Sequence, residues 1–257
     1  MTVAGSLRRG LGAGIGAGIL AALFAFFFAE PTTVGRSIAL EAQRSAAAAS
    51  AAAASASVSA DASAVGSVPS EHPDPVSRDV QRRIGAPIGF ILVGAALGVT
   101  FALLYAALRR FSAGLSPWRQ SAFLGAAGVG VLVVPFLRYP PNPPGVGDPD
   151  TVNDRTRLYL AALLLGIAAA TGAWRLGREL AGRGWPESRR QVVTVLAVIA
   201  VVGLGYLILP TASEPIAVPA KLLWDFRIQS LATQLLLWGG SAAGFGLLTE
   251  RATYATA

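Results

Sequence analysis

The chain has 257 residues, of which 53% are hydrophobic and only 14% are charged, too few charges to cover a water-soluble globular domain. It has no cysteine, which excludes disulfides and thiolate metal sites, and its single histidine excludes any site that needs two imidazoles from one chain. The net charge of +7 comes mostly from arginines that flank apolar runs, so the composition predicts an integral membrane protein that binds membrane lipids and no nucleic acid.

Six apolar segments are long enough to cross a bilayer as helices. Such a helix needs about twenty apolar residues at a rise of about 1.5 Å per residue. The first segment has the outline of a signal peptide, but Phe27 is too bulky for the −3 position of a cleavage site before Glu30, so an uncleaved helix is predicted. The fold class is therefore all-α, with spans at residues 11–29, 85–108, 121–137, 158–174, 192–209 and 228–249.

The first span is followed by a long polar connection, residues 30–84. Within it, residues 45–69 are rich in alanine and serine and form a linker of low complexity. Alanine favours helix, but this run has no amphipathic face to bury, so both a mobile linker and a frayed helix fit the sequence. Further along, Asp79 has the helical spacing that pairs it with Arg82 or Arg83.

Glycines repeat every four residues on the first two spans. Small residues at this spacing let two membrane helices approach closely, although the general glycine richness of membrane helices explains the pattern equally well. The first span carries the rows Gly10, Gly14, Gly18 and Gly12, Gly16, and the second span carries Gly94 and Gly98.

The arginines indicate how the chain is oriented in the membrane. Six spans place both termini on one side, and the two short loops predicted on that side hold three and five arginines. Short loops rich in Lys and Arg lie in the cytoplasm. The chain is therefore predicted to be a multi-pass protein of the cytoplasmic membrane with cytoplasmic termini. The long connection and the proline-rich loop at 138–150 then lie on the outer side.

Carboxylates and the only histidine lie on this predicted outer side. Glu71 and Asp74 flank His72, and imidazole with carboxylate suits divalent ions such as cobalt, nickel and zinc. The neutral imidazole is the ligand, so binding weakens below its pKa. Asp148 and Asp150 add hard oxygen ligands after the prolines. We interpret these five residues as an outer entry site for a metal ion.

Each group of this entry site also has a simpler interpretation. The stretch around His72 fits a surface loop without a ligand, and Asp150 or Asp154 fits a cap for the next helix. The spacing of the aspartates matches no EF-hand loop.

The polar side chains of the last span are uncharged. Gln229, Thr233, Gln234 and Ser241 fit either the lining of a path or hydrogen bonds that hold helices together. No ionisable residue lies in the middle of any span, which argues against a proton-coupled antiporter working alone.

The sequence lacks the motifs of common enzymes. It has no GxSxG, no HExxH and no phosphate-binding loop, and one histidine without cysteine leaves little for acid–base or nucleophilic chemistry. The chain is predicted not to be an enzyme and to hold no permanently bound cofactor. Without a nucleotide-binding motif, any ATP-driven step needs another chain.

Three stretches carry a resemblance to a known family. They are Glu71–Gly89 (EHPDPVSRDVQRRIGAPIG), Phe136–Arg157 (FLRYPPNPPGVGDPDTVNDRTR) and Val218–Trp238 (VPAKLLWDFRIQSLATQLLLW). In these stretches and in the spacing of its spans, the chain resembles the CbtA family of predicted cobalt transporter subunits. The proline-rich stretch is the most specific element, and residues 45–69 lie outside the likeness.

The resemblance implies uptake of Co²⁺ in support of cobalamin synthesis. It also implies a small one-span partner with a histidine-rich tail, CbtB, which would explain why this chain has so little histidine. The family is usually described with five spans, whereas this sequence has six apolar segments. The alternative is a membrane scaffold or sensor whose outer loops bind a protein or lipid and transport nothing.

Overall fold

The computed structural model describes residues 2–58, 77–111, 114–147, 151–211 and 218–254. These residues form helices and short connections, and six helices are long and apolar enough to cross a membrane. The prediction of an all-α membrane protein with six spans is confirmed. In order, the elements are α1 (Val3–Phe24), a π-helical segment π1 (Ala25–Val34), α2 (Gly35–Val58), α3 (Arg78–Val80), a second π-helical segment π2 (Gln81–Gly85), α4 (Ala86–Leu108), a 3₁₀ turn (Arg109–Phe111), α5 (Pro117–Arg138), α6 (Val152–Gly182), α7 (Glu187–Ile208) and α8 (Ala220–Tyr254).

The first span is part of one helix that continues without a break from α1 through π1 into α2. The alanine- and serine-rich segment is therefore helical up to residue 58, as expected from the high helix propensity of alanine. Residues 59–69 of that segment lie outside the described residues. About twenty residues are enough to cross the hydrocarbon core, so this helix extends well beyond it.

Two helices begin at side-chain caps that the sequence supplies. The hydroxyl of Thr2 accepts a hydrogen bond from the N–H of Gly5 at 3.2 Å, at the start of α1. The hydroxyl of Ser116 accepts one from the N–H of Arg119 at 3.3 Å, and Pro117 occupies the first position of α5. Both arrangements satisfy a backbone donor that has no partner within its own helix.

The start of α6 differs from the prediction. Thr151 occupies the cap position and makes no capping hydrogen bond with its side chain. The interpretation of Asp154 as a cap is wrong, because the helix begins at Val152 and Asp154 lies inside the first turn. There it suits the positive end of the helix dipole and forms an ion pair with Arg157 at 3.4 Å. Asp150 lies outside the described residues.

The helices form a bundle with a lateral extension. α1 packs most extensively against α4 and also against α8, and α5 covers another face of α8. α6 then packs on α5, and α7 packs on α6. The contact regions of α1, α4, α5 and α8 therefore make up the centre of the protein, and the α6–α7 pair lies beside it.

One of the two glycine rows on α1 makes the contact with α4. A Cβ on Gly14 would lie 2.9 Å from both the carbonyl carbon of Gly94 and the Cα of Gly98, closer than real Cβ atoms approach. The prediction of close helix contact is confirmed for this row. Around Gly12 and Gly16, in contrast, no atom of the described residues lies within 4 Å of an added Cβ.

Aromatic side chains fill the centre of the bundle. Phe101 and Phe245 are fully buried, and their ring centroids lie 5.4 Å apart in an edge-to-face arrangement. Trp238 and Tyr105 extend this cluster, with centroids 5.7 Å from Phe101 and 4.8 Å from Phe245 respectively. The indole N–H of Trp238 donates to the carbonyl of Gly125 on α5 at 3.0 Å. The cluster thus links α4 to α8 through ring contacts and α8 to α5 through this hydrogen bond.

α7 has no buried residue, unlike the helices at the centre of the bundle. Large apolar side chains such as Leu204 and Leu207 are 61% and 83% exposed. Such a surface suits lipid tails, which are as apolar as leucine.

Candidate functional site

The residues of the predicted metal entry site, Glu71, His72, Asp74, Asp148 and Asp150, all lie outside the described residues. Within the described part of the chain, no three His, Cys, Asp or Glu side chains come together as a metal site. The entry site therefore stays a prediction from the sequence.

Of the four predicted path residues, Gln229 makes the most contacts between helices. Its Nε2 donates to the hydroxyl of Thr32 at 2.7 Å, and its Oε1 accepts from the hydroxyl of Thr33 at 2.6 Å. Thr33 is fully buried. These bonds use both ends of the amide and tie π1 to α8 on the predicted outer side. We call Thr32, Thr33 and Gln229 the polar triad.

The other three predicted path residues have different surroundings. The hydroxyl of Thr233 donates to the carbonyl of Gln229, and the fully buried hydroxyl of Ser241 donates to the carbonyl of Leu237, both one turn earlier in α8. The Oε1 of Gln234 is buried and has no hydrogen-bond partner among the described residues. A buried acceptor of this kind is a candidate for a bound water or ion.

A half-buried ion pair joins the first and second spans near the polar triad. Oε1 of Glu30 lies 3.6 Å from Nε of Arg82, and the two side chains are 16% and 39% exposed. The Arg82 guanidinium also lies over the ring of Phe26, 5.7 Å from its centroid. Asp79 pairs with Arg83 at 3.7 Å. Of the two arginines that helical spacing offered to Asp79, the structure pairs it with Arg83, whereas Arg82 contacts Glu30 on the first helix.

This ion pair lies between two π-helical segments, Glu30 in π1 and Arg82 in π2. Pro31 in π1 has no N–H to donate, and the N–H of Gly35 bonds the carbonyl of Glu30 five residues earlier. Such wide turns are rare and frequently mark functional sites. Glu30 was not among the functional residues predicted from the sequence, although the sequence shows an acid followed by a proline at the end of an apolar run.

The proline-rich loop is held by side chains from two helices. From α8, Arg227 donates to the carbonyl of Pro141 at 3.4 Å and to Oδ1 of Asn142 at 3.3 Å. From α2, the carboxylate of Glu41 lies against Gly145, whose φ of +71° favours glycine. Prolines donate no backbone hydrogen bond, so a loop of this composition depends on such side-chain contacts.

A cleft of about 340 Å³ lies where π1 and α2 face the start of α8. The Thr32 of the polar triad belongs to its lining, together with two cations, one carboxylate, one amide and four apolar side chains. The remaining lining residues are Arg36, Ala39, Leu40, Gln43, Pro219, Lys221, Leu222 and Asp225.

Comparison with known proteins identifies one family. The family model described as "Probable cobalt transporter subunit (CbtA)" matches residues 5–250, which includes four of the six apolar helices completely and nearly all of the first and the last. No curated protein and no solved structure matches the chain.

Proposed function

Because the chain belongs to the CbtA family of cobalt transporter subunits, we propose that it carries Co²⁺ across the cytoplasmic membrane into the cell for cobalamin synthesis. The single observation that carries this proposal is the family match along nearly the whole chain. Co²⁺ is the transported substrate in this proposal, which gives the chain neither a resident cofactor nor a catalytic step.

Metal capture is shared with a second subunit in this proposal. One histidine and no cysteine are too few for a complete site of borderline-soft ligands on this chain. A small one-span protein of the CbtB type, with a histidine-rich tail, supplies the missing imidazoles. The residues Glu71, His72, Asp74, Asp148 and Asp150 then form the outer entry site that receives the ion.

The route from the entry site into the bundle passes the polar triad. Its amide and hydroxyl oxygens are uncharged metal ligands where π1 contacts α8, and they suit an ion that has already lost part of its water. Gln234 lies about one and a half turns deeper on α8, and its buried Oε1 is the next acceptor.

Uptake of radiolabelled Co²⁺ tests the proposal. Cells that contain this chain together with the histidine-rich partner are expected to accumulate Co²⁺ well above cells with neither. Absence of uptake in every combination, with the protein shown to be in the membrane, would overturn the transport function and favour the non-transporting scaffold or sensor. Failure to take up Co²⁺ with normal uptake of Ni²⁺ would overturn the choice of metal only.

The same assay tests the entry site. Replacing both His72 and Asp74 with alanine is expected to raise the Co²⁺ concentration for half-maximal uptake by at least about tenfold, since even residues beyond the ligand shell commonly contribute that much to metal affinity. Asp79→Ala is the matched control, because Asp79 is an exposed acid paired with Arg83. Equal effects of the control and the double variant would contradict the assignment of the entry site.

The proposed orientation gives a separate prediction. The chain has no cysteine, so a single introduced cysteine reports its own position. In intact cells a membrane-impermeant maleimide is expected to label Ser50→Cys, on exposed α2, and to leave Ser188→Cys, at the exposed start of α7, unlabelled until the membrane is opened. The reverse labelling pattern would place the termini outside the cell.

A further inference from the structure

The cleft between α2 and α8 has an uneven balance of charge. Lys221 and Asp225 form an ion pair at 2.6 Å, within one helical turn. Arg36 is exposed and forms no ion pair with another described residue. Among the described lining residues, two cations and one carboxylate give a net charge of +1. This charge disfavours a bare divalent cation and favours an anion, and guanidinium suits the phosphate group particularly well.

The walls of the cleft are largely apolar. Leu40 and Ala39 line it from α2, and Pro219 and Leu222 line it from the start of α8. Leu222 is only 8% exposed, so it closes the cleft on the α8 side. A small inorganic anion would leave these surfaces uncovered. A ligand that joins an anionic group to an apolar body would cover both the charged and the apolar parts.

The cleft lies just beyond the apolar ends of the first and last spans, within side-chain reach of the headgroup layer of a bilayer. The apolar run of the first span ends before Glu30, and that of the last span begins at Ile228. Arg36 and Lys221 therefore lie about 10 Å beyond the ends of these runs, by the helical rise. Their long side chains can reach back toward the level of lipid phosphates while their stems stay on apolar surface.

We propose that this cleft binds the phosphate headgroup of an anionic phospholipid, with Arg36 and Lys221 as the charged contacts and Leu40 and Leu222 as the apolar ones. This inference rests on the charge complementarity and on the apolar walls of the cleft. It does not depend on which side of the membrane the cleft faces. It is independent of cobalt transport and adds a lipid site where π1 and α2 face the start of α8.

Native mass spectrometry of the purified full-length protein in mixed micelles tests this proposal, with phosphatidylglycerol and phosphatidylcholine as probes. Phosphatidylglycerol is expected to bind more tightly. In the Arg36→Gln/Lys221→Gln variant its affinity is expected to fall about fivefold per removed charge, the usual contribution of a cation at a membrane surface. Both side chains are exposed, so the variant is expected to fold. Arg44→Gln is the matched control, an exposed arginine on the same helix that does not line the cleft.

A variant of opposite sign completes the test. Asp225→Asn removes the only carboxylate among the described lining residues and releases Lys221 from its ion pair, so phosphatidylglycerol is expected to bind about fivefold more tightly. Equal affinity for the two lipids, or equal losses in the double variant and the Arg44 control, would overturn the proposal. Displacement of the lipid by millimolar inorganic phosphate would also overturn it, in favour of a soluble phosphate ligand.

Discussion

Replacing Gly14 with leucine is expected to separate the first two spans and to destabilise the protein by about 3–5 kcal/mol, above the usual range of overpacking effects. Even the Cβ would lie 2.9 Å from the carbonyl carbon of Gly94 and from the Cα of Gly98, and closer still to the carbonyl oxygen of Gly94, and leucine adds three more carbons. The overlapping atoms of α4 belong to its backbone, so no side-chain rotation can relieve the overlap. The helices would have to move apart and would lose the dispersion contacts along their whole interface.

The second glycine row provides the control for this prediction. Gly16→Leu makes the same change in composition and hydrophobicity on the same helix, at a position where no described atom lies within 4 Å of an added Cβ. Thermal unfolding in detergent, followed by size-exclusion chromatography, measures both variants. Gly14→Leu is expected to be lost from the monodisperse peak at a temperature where Gly16→Leu is retained. Equal stability of the two variants would contradict the assigned contact.

The second large effect is expected from Glu30→Arg, which places two guanidinium groups together between π1 and π2. The change removes an ion pair that is 16% and 39% exposed and replaces it with repulsion between partly desolvated cations. We expect a loss of about 2–3 kcal/mol, more than a surface pair contributes and less than a fully buried one. The corresponding decrease in Tm is roughly 5–10 °C. Cobalt uptake is expected to fall as well, because the polar triad is two residues further along the same segment.

Exchanging the two charges tests whether the loss of stability comes from the broken ion pair. The double variant Glu30→Arg/Arg82→Glu restores opposite charges across the same gap and is expected to recover most of the lost Tm. Asp79→Arg is the exposed control, since Asp79 pairs at the surface with Arg83, and it is expected to change stability by only a few tenths of a kcal/mol. A double variant as unstable as Glu30→Arg would show that the carboxylate acts through something other than Arg82.

Hydropathy was enough to predict the six spans, because a bilayer requires long apolar helices and each run here has the necessary length. Glycine spacing predicted a close contact between helices but not which row makes it. Gly14 and Gly16 lie about 200° apart on the helix, in equally apolar surroundings, so only the position of α4 distinguishes them. The structure places α4 on the side of Gly14.

The π-helical turns and polar contacts at the outer end of the first helix could not be predicted from the sequence, for a different reason. The pattern of apolar residues shows which side chains avoid water, but it does not show which carbonyl each backbone N–H bonds. The π-helical turns around Glu30 therefore could not be predicted from it. Gln229 was identified as polar in an apolar span, but its partners Thr32 and Thr33 are about two hundred residues away in sequence. Such pairing depends on the tertiary arrangement, which no single stretch contains.

The uninterrupted helix from α1 through α2 acts mechanically as a lever. α2 alone has 24 residues, which is about 36 Å at the helical rise. A tilt of about 5° within the bilayer therefore displaces the far end of α2 by about 3 Å relative to its base. Small rotations at the Gly14 contact are thus enlarged outside the membrane, where a spectroscopic label at Ser50 could report them as changes in distance.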